Sequence, residues 1–177
     1  IEKYAQPNAL LLHTGCGSGE VDKDLVKKYR LIACDISQNA LKINNVDKNK
    51  VRADIFNLPF KDKTFDILYN LGVLEHFDKE EILKMLPEFK RVTKKNGYII
   101  IFIPPEFGLS VIFFKALKFI IKKVFKKTPV FHPEEPSRLK SKKEAIDFLT
   151  ASDLKLKEYY FGIKDLFTYS VIVAEND

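Results

Sequence analysis

The sequence has little cysteine, no tryptophan and few glycines or prolines, and each shortage excludes a class of protein. Its two cysteines, Cys16 and Cys34, form neither a C-x-x-C pair nor a zinc-ligand spacing, which excludes a disulfide framework and a structural zinc site. Seven glycines and eight prolines in 177 residues are too few for a collagen-like or disordered chain. We therefore expect a globular domain in a reducing compartment.

Long apolar runs are also missing. No stretch of about 18 uncharged apolar residues occurs, and the N-terminus lacks the basic-then-apolar order of a secretory signal. The sequence therefore predicts a cytoplasmic protein with at most peripheral membrane contact. The length predicts one domain over residues 1–177, and the start at Ile1 rather than Met suggests a segment upstream of the numbered chain.

The positive charge is concentrated in one segment. The net charge is +6, and residues 106–127, with six lysines and one glutamate, hold +5 of it. At 100° per residue, the lysines of residues 111–127 share one side and the Phe, Ile, Leu and Val side chains the other, which predicts a basic amphipathic helix. Such a helix fits a membrane interface or a lid over an apolar pocket. We interpret residues 106–140 as an inserted lid or membrane-facing segment.

Outside this insertion, short apolar runs alternate with segments of helical period. This alternation predicts an α/β fold with a mostly parallel sheet. Two capping boxes, Asp78 with Glu81 and Ser141 with Glu144, mark helix starts. The predicted strands are 9–13, 31–35, 51–54, 65–70, 98–103, 156–161 and 168–174, and the predicted helices are 20–28, 37–44, 78–95 and 141–151.

The first strand runs into the sequence H-T-G-C-G-S-G. Gly15, Gly17 and Gly19 stand where the chain turns into a helix, and glycine there permits positive φ and close approach of a ligand to N–H groups that favour an anion. Asp35 ends the second strand, 20 residues after Gly15, and the topology places it beside this turn, where a carboxylate can accept both ribose hydroxyls. The dinucleotide pattern G-x-G-x-x-G is not met, which argues against a nicotinamide enzyme.

The spacing of the glycines, Asp35 and Asp54 resembles the class I S-adenosylmethionine-dependent methyltransferases. The segment DIFNLPFKDKTFDILYNLGVLEHF is similar to the small-molecule branch typified by ubiquinone and menaquinone biosynthesis methyltransferases, and the likeness runs from about Ala9 to Pro104. It implies a doubly wound, Rossmann-like sheet of seven strands in order 3-2-1-4-5-7-6, with the last strand antiparallel and a helical insertion after the fifth. It also implies methyl transfer from S-adenosylmethionine to a small, apolar or lipid-like acceptor.

The resemblance implies a role for each matching residue. The backbone of Gly15, Cys16 and Gly17 would face the methionine end of the cofactor. Asp35 would take the ribose. Ile36 would lie against the adenine. Asp54 would bind the adenine amino group, Ile55 would flank the ring, and Asn70 would offer backbone contacts beneath the sulfonium.

His13 is the main departure from the family pattern. The family usually has an acid here, which helps to hold the cationic end of the cofactor. A histidine can still hydrogen-bond the methionine carboxylate or a bridging water. The alternative is a catalytically silent cofactor-fold module that binds a partner or a membrane surface.

Glu75 and His76 follow the fourth strand, where the acceptor should lie. A neutral imidazole near pH 7 suits proton removal, so His76 is the candidate catalytic base. The alternative role for His76 is a helix-capping or cofactor-side hydrogen bond, because methyl transfer can proceed through proximity and orientation. His132 is a weaker candidate, and the three histidines show no metal-ligand spacing.

The sequence favours a small-molecule substrate over nucleic acid. Nucleic-acid methylation would predict an N-P-P-Y-like motif after the fourth strand, and the chain has Asn70-Leu71-Gly72-Val73 instead. Arginine is scarce, at four residues. We therefore expect no nucleic-acid partner.

Overall fold

The computed structural model describes residues 1–106, 136–162 and 168–177. They form a seven-stranded sheet in the order β3-β2-β1-β4-β5-β7-β6, which confirms the order that the family resemblance implied. The strands are β1 (Leu10–Thr14), β2 (Arg30–Asp35), β3 (Lys50–Arg52), β4 (Phe65–Leu71), β5 (Thr93–Ile103), β6 (Lys155–Tyr160) and β7 (Ser170–Asn176). The helices are α1 (Leu25–Lys28), α2 (Gln38–Ile43), α3 (Lys79–Val92) and α4 (Lys142–Ala151), with 3-10 helices at Glu20–Asp22 and Leu74–His76.

The strand directions create one functional edge. The neighbouring strands from β3 through β5 run parallel, so that their carboxyl ends meet at the same edge of the sheet. Strand β7 is antiparallel to β5 and to β6, and Ser170 at its start pairs with Ile103 at the end of β5. The start of β7 therefore joins the carboxyl edge, where ligands of open α/β sheets bind.

Both faces of the sheet are covered, which explains why the central strands are apolar on both sides. On β1, the buried Leu12 belongs to the core cluster that includes Met85 and Phe89 of α3. The neighbouring Leu11 belongs to the opposite cluster, with Leu25 of α1. The alternation of side chains along β1 thus assigns even-numbered residues to one core and odd-numbered residues to the other.

The first predicted capping box is confirmed, and the second is only half present. Asp78 Oδ1 accepts the Glu81 N–H at 2.8 Å, and Glu81 Oε2 accepts the Asp78 N–H at 2.9 Å. At α4, Ser141 Oγ accepts the Glu144 N–H at 3.2 Å, but Glu144 Oε2 accepts the N–H of Lys140 at 2.8 Å. The Glu144 carboxylate also accepts from Lys79 on α3, which draws it away from the N-cap residue.

Two predicted boundaries near the edge of the sheet are wrong. The predicted helix 20–28 is divided into a 3-10 helix and α1, and Asp22, the last residue of the 3-10 helix, is fully buried. The third strand ends at Arg52, so that Asp54 lies beyond it, in an isolated bridge with Asn57.

The end of α3 also differs from the prediction. The helix ends at Val92 rather than at the predicted Lys95, and Thr93 begins β5 five residues before the predicted start. Thr93 pairs with Phe65 of β4, and its Oγ1 donates to the Phe89 carbonyl at 2.7 Å. Pairing with a neighbouring strand therefore overrides the local helix-ending signal.

Most of the predicted insertion, including residues 111–127 and His132, lies outside the described residues. The ends that are described lie together: the Leu139 N–H donates to the Pro104 carbonyl at 3.1 Å, and the Glu106 N–H donates to the Leu139 carbonyl at 2.9 Å. Both ends therefore reach the carboxyl edge beside β5. Among the described helices, none has the length and apolar character needed to span a bilayer.

Candidate active site

The glycine loop, residues 15–19, connects β1 to the first 3-10 helix. Gly15, Gly17 and Gly19 have φ values of 70°, 52° and 72°, a left-handed conformation that other residues rarely adopt. A Cβ at Gly15 would lie 2.3 Å from Val73 Cγ2, whereas a Cβ at Gly17 would meet nothing within 4 Å. The space beside Gly17 is therefore open to a ligand, as the sequence predicted for this turn.

Asp35 lies against this loop. Its Oδ2 accepts the Gly17 N–H at 2.9 Å, and its Oδ1 accepts the Ser37 N–H at 2.8 Å. A carboxylate has about four acceptor positions, so that this half-buried group retains acceptor capacity for two ribose hydroxyls. The structure thus places Asp35 beside the glycine loop, as the topology predicted.

The residues expected near the adenine divide into exposed and buried ones. Ile36 is 62% exposed, so that its side chain is available for contact with an aromatic base. Asp54 is exposed, and its Oδ1 accepts the Phe56 N–H at 3.0 Å. Ile55 belongs to the hydrophobic core, so that any contact of Ile55 with an adenine would fall to its backbone.

Asn70 joins the ends of β4 and β1. It is fully buried, and its Nδ2 donates to the Thr14 carbonyl at 2.8 Å and to Thr14 Oγ1 at 3.1 Å. Its Oδ1 is buried and has no hydrogen-bond partner in the part of the chain that the structure describes. Asn70 therefore presents both a fixed backbone and an unsatisfied acceptor at the carboxyl edge.

His13 is buried rather than open to the cleft. Its Nδ1 lies 2.7 Å from Asp22 Oδ2, and its ring stacks on Tyr69 with the ring centroids 4.4 Å apart. The Tyr69 hydroxyl donates to Asp22 Oδ1. Sequence reasoning missed Asp22 and Tyr69, for which the only local signal is an acid soon after the glycine loop.

A second buried acid lies nearby. Asn44 Nδ2 donates to Asp47 Oδ2 at 2.6 Å and contacts Cys16 Sγ at 3.6 Å. Burial, together with the negative charge of Asp22, raises the pKa of Asp47. Burial also raises the pKa of the Cys16 thiol to about 11, so that this thiol is neutral near pH 7.

The acceptor side of the site follows β4. His76, the candidate base, is exposed at the end of the second 3-10 helix, while the adjacent Glu75 is 6% exposed. A methyl group on Gly72 would lie 3.5 Å from Glu75 Oε1 and 3.8 Å from the Tyr169 hydroxyl oxygen. The fold therefore brings Glu75 and Tyr169 to the same point of the carboxyl edge, a pairing that sequence reasoning missed.

Comparison with known proteins decides the family. The family model of the methyltransferase domain matches residues 12–101, about half of the chain. The chain belongs to the S-adenosylmethionine-dependent methyltransferases. The narrower resemblance to the ubiquinone and menaquinone branch stays a prediction, because the matched model describes methyltransferase domains in general.

Two curated relatives illustrate the similarity of this methyltransferase domain to longer proteins. An uncharacterized protein of Methanocaldococcus jannaschii is 41% identical over 92 residues, which are 52% of this chain and 39% of the relative. The mouse probable tRNA methyltransferase 9B is 30% identical over 100 residues, which are 55% of this chain and 22% of the relative. The matches thus span less than half the length of either relative.

Solved structures show the same fold. An S-adenosylmethionine-dependent methyltransferase from Methanosarcina mazei superposes with a TM-score of 0.76 at 18% identity, covering 99% of this chain and 95% of that one. At this identity, the likeness concerns the fold alone.

The residues at this site suit S-adenosylmethionine as the cofactor. Open space beside Gly17 and the acceptor positions left on Asp35 suit the sugar and the amino-acid end, and the exposed Ile36 suits the base. When bound, the cofactor supplies a methyl group made electrophilic by its sulfonium. Asp35, the glycine loop, Ile36 and Asp54 are the residues that would hold it.

Proposed function

We propose that this chain transfers a methyl group from S-adenosylmethionine to a small, apolar or lipid-like acceptor. The observation that supports the proposal is the hydrogen bond from the Gly17 N–H to Asp35, which joins the glycine loop to the end of β2. Ile36 is exposed at the same edge of the sheet. This arrangement offers open space beside the loop, a carboxylate for the ribose and an apolar surface for the base. The expected anion contact with the N–H groups of Gly15, Cys16 and Gly17 is not available, because all three donate within the protein.

Methyl transfer requires little covalent chemistry from the protein itself. The acceptor forms a bond to the methyl carbon as the carbon–sulfur bond breaks, and the electron pair of that bond stays on sulfur. The chain's residues hold the acceptor in line and receive the proton that the acceptor loses. His76 is the proposed base, and Glu75 lies beside it in the sequence but is buried.

An apolar acceptor is supported by the wall next to the site. A narrow cavity of about 10 Å³ lies among α3, α4, β5 and β7, and all its lining residues are apolar, including Leu74, Ile103 and Leu139. Leu74 precedes Glu75, and Leu139 bonds to the end of β5, so that this wall reaches the acceptor side. Since the cavity has room for about one water, a larger acceptor requires the wall to open.

An RNA acceptor is the second candidate. A cleft of about 860 Å³ at the opposite, amino-terminal side of β1 and β2 is lined by Lys27, Arg30, Lys48 and Lys50 and by no acidic residue. Lys27 pairs with Asp24 at 2.9 Å, and Lys50 donates to two backbone carbonyls, which leaves Arg30 and Lys48 to attract phosphates. The mouse relative carries a tRNA methyltransferase name, which favours the same candidate. The expectation of no nucleic-acid partner therefore stays a prediction.

One labelling experiment distinguishes these candidates. The protein is incubated with methyl-labelled S-adenosylmethionine and with separate lipid, small-molecule and RNA fractions of the source cells, and the Asp35→Ala variant serves as the control. Label in the organic extract that disappears in the variant supports the apolar acceptor. Label that ribonuclease releases supports RNA. Cofactor binding without transfer to any fraction would favour the catalytically silent module.

Membrane contact through residues 111–127 is a further proposal. It depends on the lysine-rich sequence of that segment, which lies outside the described residues, and it is compatible with a lipid-like acceptor.

A further inference from the structure

Five polar side chains are buried together behind the glycine loop. Each of them is at most 4% exposed, although polar residues are rarely buried without a role. A Cβ at Gly19 would lie 2.5 to 2.6 Å from atoms of two of them, which places the group directly against the loop. We call these side chains the loop cluster: His13, Asp22, Asn44, Asp47 and Tyr69.

The loop cluster connects the two ends of the loop. His13 precedes the loop on β1, and Asp22 follows it in the first 3-10 helix. The 2.7 Å contact between His13 Nδ1 and Asp22 Oδ2 therefore closes a span of nine residues around the glycines. Tyr69 of β4 donates to the other oxygen of Asp22, so that a third element fixes the same carboxylate.

The loop cluster contains more negative than positive groups. Two carboxylates, Asp22 and Asp47, face one imidazole, His13. The Tyr69 phenol and the neighbouring Cys16 thiol are neutral near pH 7, because burial raises the pKa of both groups. Lys50 of β3 directs its ammonium to the backbone carbonyls of Leu41 and Asn44, at 2.9 and 2.5 Å.

Two atoms of the loop cluster retain hydrogen-bonding capacity. His13 Nε2 and Asp47 Oδ1 are buried, and neither has a partner within residues 1–106, 136–162 or 168–177. Buried polar atoms are nearly always satisfied in a structural core. These two atoms therefore retain the capacity to bond a water or a ligand group that reaches the loop.

We propose that the loop cluster is a positioning and charge-selecting element of the cofactor site: it fixes the glycine loop and favours the positively charged S-adenosylmethionine over its neutral product, S-adenosylhomocysteine. The two ligands differ by one methyl group and one positive charge. A negative group behind the loop in a medium of low dielectric attracts the charged ligand more strongly. This inference rests on the proposed function, because it requires that the loop bind this cofactor.

The test measures a ratio of affinities. The dissociation constants of S-adenosylmethionine and S-adenosylhomocysteine are measured by calorimetry at pH 8 for the wild type, Asp22→Asn, Asp47→Asn and the control Glu20→Gln. The control removes one negative charge from an exposed position of the same 3-10 helix. We expect each cluster variant to shift the ratio against S-adenosylmethionine by roughly three- to tenfold and the control to shift it by less than about twofold.

If the loop cluster has only a structural role, the cluster variants should weaken the binding of both ligands equally, and that result overturns the inference. Asp47→Asn keeps the inference testable if Asp22→Asn unfolds, because an asparagine oxygen at this position can still accept the hydrogen bond from Asn44 Nδ2. The preference should also decline as the pH falls and Asp47 is protonated, and Asp47→Asn should flatten this dependence. If the wild type binds neither ligand, the proposed function itself fails. If it binds both and the ratio is unchanged in both cluster variants, only the inference fails.

Discussion

The backbone N–H of Gly17 donates to the carboxylate of Asp35 at 2.9 Å, so that the glycine loop and the end of β2 form one unit. Gly15 N–H and Cys16 N–H add to this union, since both donate to the Cys34 carbonyl, at 2.8 and 3.0 Å. A change at Asp35 would therefore affect both the proposed ribose contact and the conformation of the glycine loop.

The first prediction concerns this unit. Asp35→Ala should weaken S-adenosylmethionine binding by about 1.5 to 3 kcal/mol, the range for losing hydrogen bonds to a charged group. Asp35→Asn, whose side-chain oxygen can still accept the Gly17 N–H, should retain the loop geometry and lose less. Calorimetric titration measures both. Equal affinity in the wild type and Asp35→Ala would refute the role of Asp35.

The second prediction uses the difference between two glycines. Gly17→Ala should fold with a cost of about 1 to 2 kcal/mol from its positive φ, because a Cβ there meets nothing within 4 Å. The added methyl group occupies the open space, so that cofactor affinity should fall at least about tenfold. Gly15→Ala should lose more stability, because its Cβ would lie 2.3 Å from Val73 Cγ2. Thermal unfolding and titration of both variants test this, and unchanged affinity in Gly17→Ala would show that the ligand lies elsewhere.

The third prediction assigns the base. If His76 is the base, His76→Ala should lower turnover by roughly two to four orders of magnitude with unchanged cofactor affinity, because the proposed role of His76 is to remove a proton and not to hold the cofactor. The comparison variant is Glu75→Gln, because Glu75 is the buried neighbour that lies near Tyr169. Full turnover in His76→Ala with a large loss in Glu75→Gln would transfer the role to Glu75. The assay uses the acceptor fraction that takes up label.

The fourth prediction concerns stability and pH. Hydrogen bonds from Arg91, at 2.7 and 2.8 Å, lower the pKa of Glu88, whose Oε1 also accepts the Leu58 N–H at 2.6 Å. Because the folded-state pKa is lowered, this stabilisation is complete above the ordinary value of 4.5 and is lost as the pH falls through the folded-state value. Glu88→Gln should therefore lower the free energy of unfolding at pH 7 by about 1 to 3 kcal/mol and by less in acid.

Chemical denaturation at pH 7 and pH 3.5 measures this difference. The exposed Glu80, on the first turn of the same helix, supplies the control variant Glu80→Gln, which should change stability by less than about 0.5 kcal/mol. A loss in Glu88→Gln that is equal at both pH values would contradict the linkage.

The fifth prediction concerns residues 111–127. Six lysines near an anionic surface contribute on the order of 1 kcal/mol each, so that the protein should co-sediment with anionic vesicles at low salt and less at high salt. Changing Lys118, Lys122 and Lys126 to Glu should abolish this binding, and neutral vesicles provide the control. Absence of binding to anionic vesicles at low salt would contradict the membrane interpretation and favour the interpretation of this segment as a lid.

The sequence by itself determined the fold class and the place of Asp35 beside the glycine loop. Periodicity located the strands and most helices, and the glycine turn followed by Asp35 predicted where a ligand binds, because these signals are local. Parallel strands then place the two features at one edge, so that no further information was needed. The family resemblance supplied the strand order, which the structure confirms.

Only the tertiary structure decided which side chains meet. Asp22 and Tyr69 are 47 residues apart and share a hydrogen bond. Glu75 and Tyr169, which are also distant in the chain, both lie beside Gly72. The early start of β5 at Thr93 likewise depends on pairing with Phe65. Burial of His13 and exposure of His76 follow from the elements packed over each residue rather than from neighbours in the sequence. The local sequence pattern indicates which face of a helix or strand a residue occupies. Contacts between distant residues depend instead on how whole helices and strands pack. This packing decides which polar groups are buried away from water and which hydrogen-bond partners they find.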